Sequence, residues 1–345
     1  MSISYPAIAV TVGQATCTPD MLLSMHEAGA TLFRYNLAAQ LGLTEHRRRM
    51  DIFRTVQGAT HSSVKLLLDV PFPGAKFRVG MLPERKHLIE TGTTLTFTTG
   101  QETNDINTFV PVDVAQLGLL VTPGATVTIG DGELAFHVDH VVDDSTFVAT
   151  AITSNYLPCQ KSLNTGRVNN SATQQNGDLV SFLAEISPEY IAFSFVEDKE
   201  GSEEAFSALA AQGLKRPSYK AIAKIETLKG VRNLQSFAHL YDGIMVARGD
   251  LALNVDCHYL GEIQDYLINF SKQNELECIV STQVCESIDA NAIPNRAELV
   301  GMYQLAKSGA DFILLAKETS TLSSPLQSIN AVQRTIAAAK NPLLQ

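Results

Sequence analysis

The sequence predicts an α/β architecture, a (β/α)8 TIM barrel with an inserted all-β lid domain. Short β-branched or apolar runs recur along the chain, each followed by a polar or glycine break and then by helical apolar spacing; this is the βα repeat of a parallel sheet. Eight such runs can be counted, the number a closed barrel requires. A stretch from about Val79 to Ser162, rich in Thr, Val and Gly, breaks the rhythm with period-two alternation.

In chain order, strands are expected at Ala7–Val12, Leu32–Tyr35, Ser63–Asp69, Tyr190–Ser194, Ala221–Lys224, Gly243–Val246, Cys278–Thr282 and Asp311–Leu315. Helices are expected between them, among others at Pro19–Ala28, Thr44–Gln57, Glu203–Gln212, Tyr259–Gln273, Arg296–Ser308 and Pro325–Ala339. The interrupting stretch has alternating runs at Thr94-Leu-Thr-Phe-Thr, Thr126-Val-Thr-Ile and Leu134-Ala-Phe-His-Val, with hairpin signals at Gly130-Asp131-Gly132 and Asp143-Asp144. It reads as an all-β domain over 79–162, placed after the third strand, leaving 1–78 and 163–345 to the barrel. The polar stretch 164–177 reads as the linker back.

At 345 residues, 45% hydrophobic and 18% charged, the chain can bury a large core. A net charge of −10 argues against nucleic acid as a partner, since phosphate neutralisation needs a basic face. The one basic run, His46-Arg47-Arg48-Arg49, reads as a solvated helix face. The N-terminal residues lack the pattern of a signal peptide, and no apolar run approaches the ~18 residues of a membrane span, so a cytoplasmic protein without membrane partners is expected. Five scattered cysteines with no CxxC pair suggest reduced packing residues.

Barrel chemistry is built at the C-terminal ends of strands. Those ends supply Arg34 and Asn36, Asp69, Lys224 and Glu226, Arg248 and Asp250, and Thr282. Glu226 and Asp250, on neighbouring strand ends, offer hard oxygens to Mg2+ or Mn2+ while leaving coordination positions for a substrate. A lone acidic residue after a strand is commonly a helix N-cap; the set together is harder to explain that way.

The runs Ala223-Lys-Ile-Glu-Thr-Leu-Lys-Gly-Val-Arg-Asn and Tyr241-Asp-Gly-Ile-Met-Val-Ala-Arg-Gly-Asp-Leu resemble the most distinctive segment of the pyruvate kinase family. Ser281-Thr-Gln-Val-Cys-Glu-Ser, Asn295-Arg-Ala-Glu and Gly309-Ala-Asp-Phe-Ile-Leu-Leu-Ala-Lys-Glu-Thr resemble its later motifs, and Thr11-Val-Gly, Phe33-Arg-Tyr-Asn and Leu68-Asp match more loosely. The resemblance implies that Glu226 and Asp250 hold the metal, and that Lys224 neutralises the transferring phosphoryl group and the enolate oxygen. It further implies that the amides of Gly249 and Asp250, with the Thr282 hydroxyl, receive the substrate carboxylate. Arg34 would bind phosphate, with Asn36 and Arg78 also at the substrate. An enolate needs positive charge aimed at its developing oxygen, and a metal with an ammonium in a dry cleft provides it.

Three departures from the family pattern stand out. Its Phe-Ser-His after Arg-x-Asn is Leu37-Ala38-Ala39 here. Its Thr-Lys-Gly-Pro after Leu-Asp becomes Val70-Pro-Phe-Pro-Gly-Ala-Lys76-Phe-Arg78, and its Ser-Gly-Glu-Thr becomes Ala316-Lys317-Glu-Thr. Potassium is therefore expected not to be required. Lys76 has two readings, as an ammonium replacing that cation or as a solvated lysine on a hinge strand. Lys317 is a candidate added group. The family's C-terminal regulatory domain has no counterpart in this sequence, so allostery through it is not expected. The function implied is phosphoryl transfer between phosphoenolpyruvate and a nucleoside diphosphate (ADP/ATP), weakened or altered. The alternatives are metal-dependent enolate chemistry on a 2-oxo acid, or a silent metabolite-binding relative. A homo-oligomer through barrel faces is also allowed.

Overall fold

The computed structural model describes residues 5–38, 41–167, 176–341 and 343. Ala39 and most of the expected linker, residues 168–175, lie outside the described residues. In chain order come β1 (Ala7–Thr11), β2 (Ala30–Asn36) and β3 (Lys65–Pro73), then β4 (Phe77–Arg78), β5 (Lys86–Ile89), β6 (Thr94–Thr99), β7 (Val110–Val112), β8 (Thr126–Ile129), β9 (Leu134–Asp143), β10 (Thr146–Ala151), β11 (Asn155–Pro158) and β12 (Ser162–Asn164). They are followed by β13 (Tyr190–Ser194), β14 (Lys220–Ile225), β15 (Gly243–Ala247), β16 (Glu277–Ser281) and β17 (Phe312–Leu315).

The parallel strands close a barrel in the order β1-β17-β16-β15-β14-β13-β3-β2. Closure joins β1 to β17, and β13 pairs directly with β3, so the barrel continues across everything inserted between them. Its interior is filled by inward side chains from every strand, among them Ala9, Leu32, Leu67, Ala192, Ile222, Met245, Ile279 and Leu314. The layer is packed, so a site on this scaffold belongs at the rim.

Strand ends differ from the expected ones where backbone chemistry intervenes. The third strand runs past Asp69 to Pro73, because Phe193 and Ser194 of β13 pair with Val70 and Pro73. The seventh ends at Ser281, since Thr282 adopts φ +70°, outside the β region. The helix expected from Glu203 starts at Lys199, where the Asp198 side chain accepts the Gly201 N–H. Similarly, Thr227 caps Leu228–Phe237, and Asn295 with Glu298 forms a capping box on Arg296–Ser308. The expected linker ends at a helix, Gly177–Ile186, that buries Leu179, Val180, Phe182 and Leu183. The basic run is only half solvated. Arg47 and Arg48 pair with Glu185 and Glu45, but His46 and Arg49 face inward, and Arg49 donates to the Val12 and Gly13 carbonyls beside the Tyr35 ring.

The chain divides into two compact units: Met1–Gly74, Ser171–Ala252 and His258–Gln345, which hold the barrel, and Ala75–Asn170 with Leu253–Cys257. The second unit is a seven-stranded sheet, β4-β12-β8-β9-β10-β6-β7, with a two-stranded β5-β11 ribbon. Alternate residues of its strands meet in a core where Phe97 stacks on Phe147 at 5.0 Å and meets Phe136 edge-on at 5.2 Å. The β8–β9 hairpin turns through Gly130 and Gly132 at φ +69° and +93°, which glycine adopts without steric cost. Among the described residues no helix is long and apolar enough to cross a membrane.

Candidate active site

At the C-terminal rim of the barrel, four charged side chains from β2, β3 and the β14 end meet out of solvent. Asn36 and Asp69 lie side by side in the β2–β3 register, so Asp69 sits level with the end of β2 although its own strand runs on. Arg34 reaches Asp69 Oδ2 through both Nε and a terminal nitrogen at 2.7 Å, and its other terminal nitrogen donates to Thr11 Oγ1 at 3.0 Å. Lys224 Nζ lies 3.1 Å from Asp69 Oδ1 and 3.1 Å from Glu226 Oε1, and donates to Ser194 Oγ at 2.9 Å. Ser194 in turn donates to Asp69 Oδ1 at 3.3 Å, and the Phe195 N–H donates to Glu226 Oε2 at 2.7 Å.

These contacts set the ionisation of each group. Burial works to raise the Asp69 carboxyl, but Lys224 and Arg34 outweigh it and hold the group below the usual range. Burial works to neutralise Lys224, and Asp69 and Glu226 outweigh it, raising its pKa. Glu226 is different. Burial pushes its carboxyl up, Lys224 pulls it down, and the charges of Asp250 and Asp69 push it up again, leaving it at about 7.

The neighbouring cradle is built from backbone. Gly249 and Asp250 lie in the first turn of the helix Arg248–Asn254, directly after β15. Thr282 and Gln283 follow β16 at φ +70° and +50°, a conformation that non-glycine residues hold only when neighbours impose it. Arg248 imposes it by donating to the carbonyls of Ser281, Thr282 and Gln283. The Thr282 hydroxyl consequently accepts the Gly249 N–H at 2.8 Å and donates to the Ser281 carbonyl at 2.7 Å. The amide and the hydroxyl expected to receive a carboxylate thus hold each other. A side chain at Gly249 would meet Thr282 only at ordinary contact distance, 3.5 Å, so the fold itself does not demand glycine there.

Charge supports a divalent cation at this place. With Glu226 ionised, Asp69, Glu226 and Asp250 against Lys224 and Arg34 leave one excess negative charge, and Asp250 acts electrostatically on both Lys224 and Glu226. A carboxyl pushed up by burial and by neighbouring carboxylates suits a hard cation, whose positive charge would offset both.

The remaining expected residues are spread more widely. Asn36 accepts the Ala38 N–H through its side-chain oxygen at 3.0 Å. Lys317 opens the short helix Lys317–Ser320 after β17 and is half-buried. Lys76 and Arg78 belong to the second unit, where Arg78 donates to the Gln160 carbonyl. Sequence reasoning did not single out Ser194, Thr11 or Glu318. Ser194 carried a signal, as a hydroxyl at a strand end; the roles of the other two depend on partners 23 and 34 residues away.

A closed parallel barrel with an all-β insertion and this rim of lysine, arginine and carboxylates defines a class of barrel protein. Residues 4–329 match the family described as pyruvate kinase, barrel domain. The pyruvate kinase of Thermotoga maritima is 28% identical over 340 residues, covering 97% of this chain and 71% of the relative. That of Thermococcus litoralis is 27% identical over 330 residues, covering 95% and 68%. The crystal structure of a pyruvate kinase from Cryptosporidium parvum superposes with a TM-score of 0.85 at 25% identity, covering 99% of this chain and 70% of that one. The chain belongs to the pyruvate kinase family.

Proposed function

We propose that the barrel rim catalyses metal-dependent phosphoryl transfer between phosphoenolpyruvate and a nucleoside diphosphate, giving pyruvate, at a rate below that usual for such a site. The observation that carries this reading is Lys224, a buried ammonium fixed between Asp69 and Glu226 at 3.1 Å from each. Glu226 and Asp250 would hold Mg2+ or Mn2+, whose chemistry there is neutralisation of charge on the enolate oxygen and the phosphoryl group. As the bond from phosphorus to the enol oxygen breaks and a bond to the diphosphate oxygen forms, the Lys224 ammonium stabilises the developing charge without moving. The enolate then takes a proton at carbon to become pyruvate. Thr282 and the Gly249 amide would orient the carboxylate, and Arg34 would meet the phosphoryl group. The all-β unit would act as a lid, a reading that scattering curves unchanged by Mn2+ and oxalate together would contradict.

The reduced rate follows from Val70 and Pro71 standing where the family pattern places a hydroxyl and a lysine, and Ala38 and Ala39 where it places a hydroxyl and an imidazole. The same changes favour a second reading, enolate chemistry on a 2-oxo acid without a nucleotide. Purified protein with Mn2+ is given phosphoenolpyruvate and ADP, and separately pyruvate in D2O. Pyruvate formation supports phosphoryl transfer; exchange of methyl protons without it supports the second reading; neither sinks both.

A further inference from the structure

The short helix Lys317–Ser320 is wired to both halves of the rim. Glu318 is fully buried. Its Oε1 accepts the N–H groups of Val284 at 2.8 Å and Cys285 at 3.2 Å, and its Oε2 accepts that of Ala316 at 2.8 Å. The Val284 and Cys285 amides directly follow the left-handed pair Thr282 and Gln283, whose carbonyls are held by Arg248. A buried anion and a largely buried cation therefore grip the two sides of one strained turn, and the turn aims the Thr282 hydroxyl at Gly249.

The next residue serves the opposite half. Thr319 is also fully buried; its hydroxyl accepts the Thr11 N–H at 3.0 Å and is 2.9 Å from the Thr11 carbonyl. The Thr11 hydroxyl in turn receives Arg34. The fit at this end is close: a Cβ on Gly13 would lie 1.7 Å from the Ser320 carbonyl oxygen, so only glycine lets the chain after β1 run past the helix.

We propose that Glu318 and Thr319 are positioning residues that brace the two halves of the site separately from one helix, Glu318 holding the Thr282 turn and Thr319 holding Thr11 and, through it, Arg34. Burying a carboxylate is unfavourable unless it is fully hydrogen-bonded, and this one is satisfied by backbone from two loops at once. Its geometry therefore fixes how those loops sit. Thr319 fixes Thr11 with both a donor and an acceptor, which an apolar residue of the same shape cannot do.

The brace is tested on the full chain by two NMR signals that need no ligand: hydrogen exchange of the Gly249 amide and the Nε–H resonance of Arg34. Glu318→Gln is expected to speed Gly249 exchange by about tenfold, the factor that accompanies about 1.4 kcal/mol, with Arg34 unmoved. Thr319→Val is expected to shift Arg34 with Gly249 unmoved, and Thr319→Ser to restore it. Should Glu318→Gln not fold, Glu318→Asp, which keeps the charge but retracts it, is expected to give the same Gly249 effect. Equal disturbance of both signals by each variant, or of neither, overturns the proposal. The ligand-level consequence rests on the functional reading above: oxalate with Mn2+ should bind about tenfold more weakly to Glu318→Gln and unchanged to Thr319→Val. Wild-type protein that binds no oxalate would overturn that reading, while the two NMR signals still decide the brace.

Discussion

The two halves of the rim are built on different principles. In the β1–β3 half, Thr11, Arg34 and Asp69 hold one another through side chains, and Asp69 serves Arg34 and Lys224 at once. In the β15–β16 half, Gly249 and Thr282 meet through a backbone amide and a hydroxyl, on a turn kept in a rare conformation. The first half is governed by charge balance in a buried place, so losing one member leaves an uncompensated charge. The second is governed by geometry, so its failures should appear as weaker binding before they appear as lost stability. Lys224 and Glu226 stand at the junction and belong to both.

Replacing Lys224 with methionine should give the largest effect. Turnover should fall roughly a hundred- to a thousandfold, as for loss of a charge-stabilising donor, and folding stability by up to about 3–5 kcal/mol because Asp69 and Glu226 remain buried. A coupled pyruvate assay with thermal melting checks both, and near-wild-type turnover would break the comparison at its centre. Next in size, Glu226→Gln and Asp250→Asn should each weaken Mn2+ binding, measured by paramagnetic resonance, by more than the roughly 10- to 100-fold typical of an outer-shell change. Unchanged affinity in both variants would remove the proposed ligands.

A pH series sharpens the same point. The Glu226 carboxyl is raised to about 7, so its proton competes with metal below that pH. Mn2+ affinity should level off above about pH 7 and fall as pH drops below it, approaching tenfold per unit, and Glu226→Gln should lose this dependence. A flat profile from pH 6 to 8 would contradict the buried cluster. The smallest effect concerns potassium. Asp69 is already engaged by Arg34, Lys224 and Ser194, Asn36 by the Ala38 amide, and neither Ala38 nor Val70 offers a side-chain oxygen. Exchanging sodium for potassium should leave the rate unchanged; a several-fold rise would mean that the cluster rearranges to admit the ion.

Much of the barrel was legible because each strand is a short apolar run with a polar break after it, and burial on both faces requires that composition. Strand ends were less so: pairing of β3 with β13 and the turn at Thr282 are long-range facts that local preference does not contain. The helix Gly177–Ile186 was hidden by the polar stretch preceding it, though its Leu179, Val180, Phe182 and Leu183 carry a helical spacing. In the site, Lys224, Glu226, Arg34 and Asp250 announced themselves as charged residues at strand ends. What sequence could not convey is the partnership. That Asp69 is shared by two cations, that Ser194 bridges Lys224 and Asp69, and that Glu318 reaches the loop after β16 all require the barrel to have closed.

The claim that the cradle and metal side is intact while phosphoryl passage is slowed is met most directly by one paired measurement. Calorimetric titration of oxalate into the protein with Mn2+ is set beside a coupled assay of pyruvate formation from phosphoenolpyruvate and ADP. Tight oxalate binding with slow turnover is the predicted result; weak oxalate binding with turnover at the family's usual rate would contradict it.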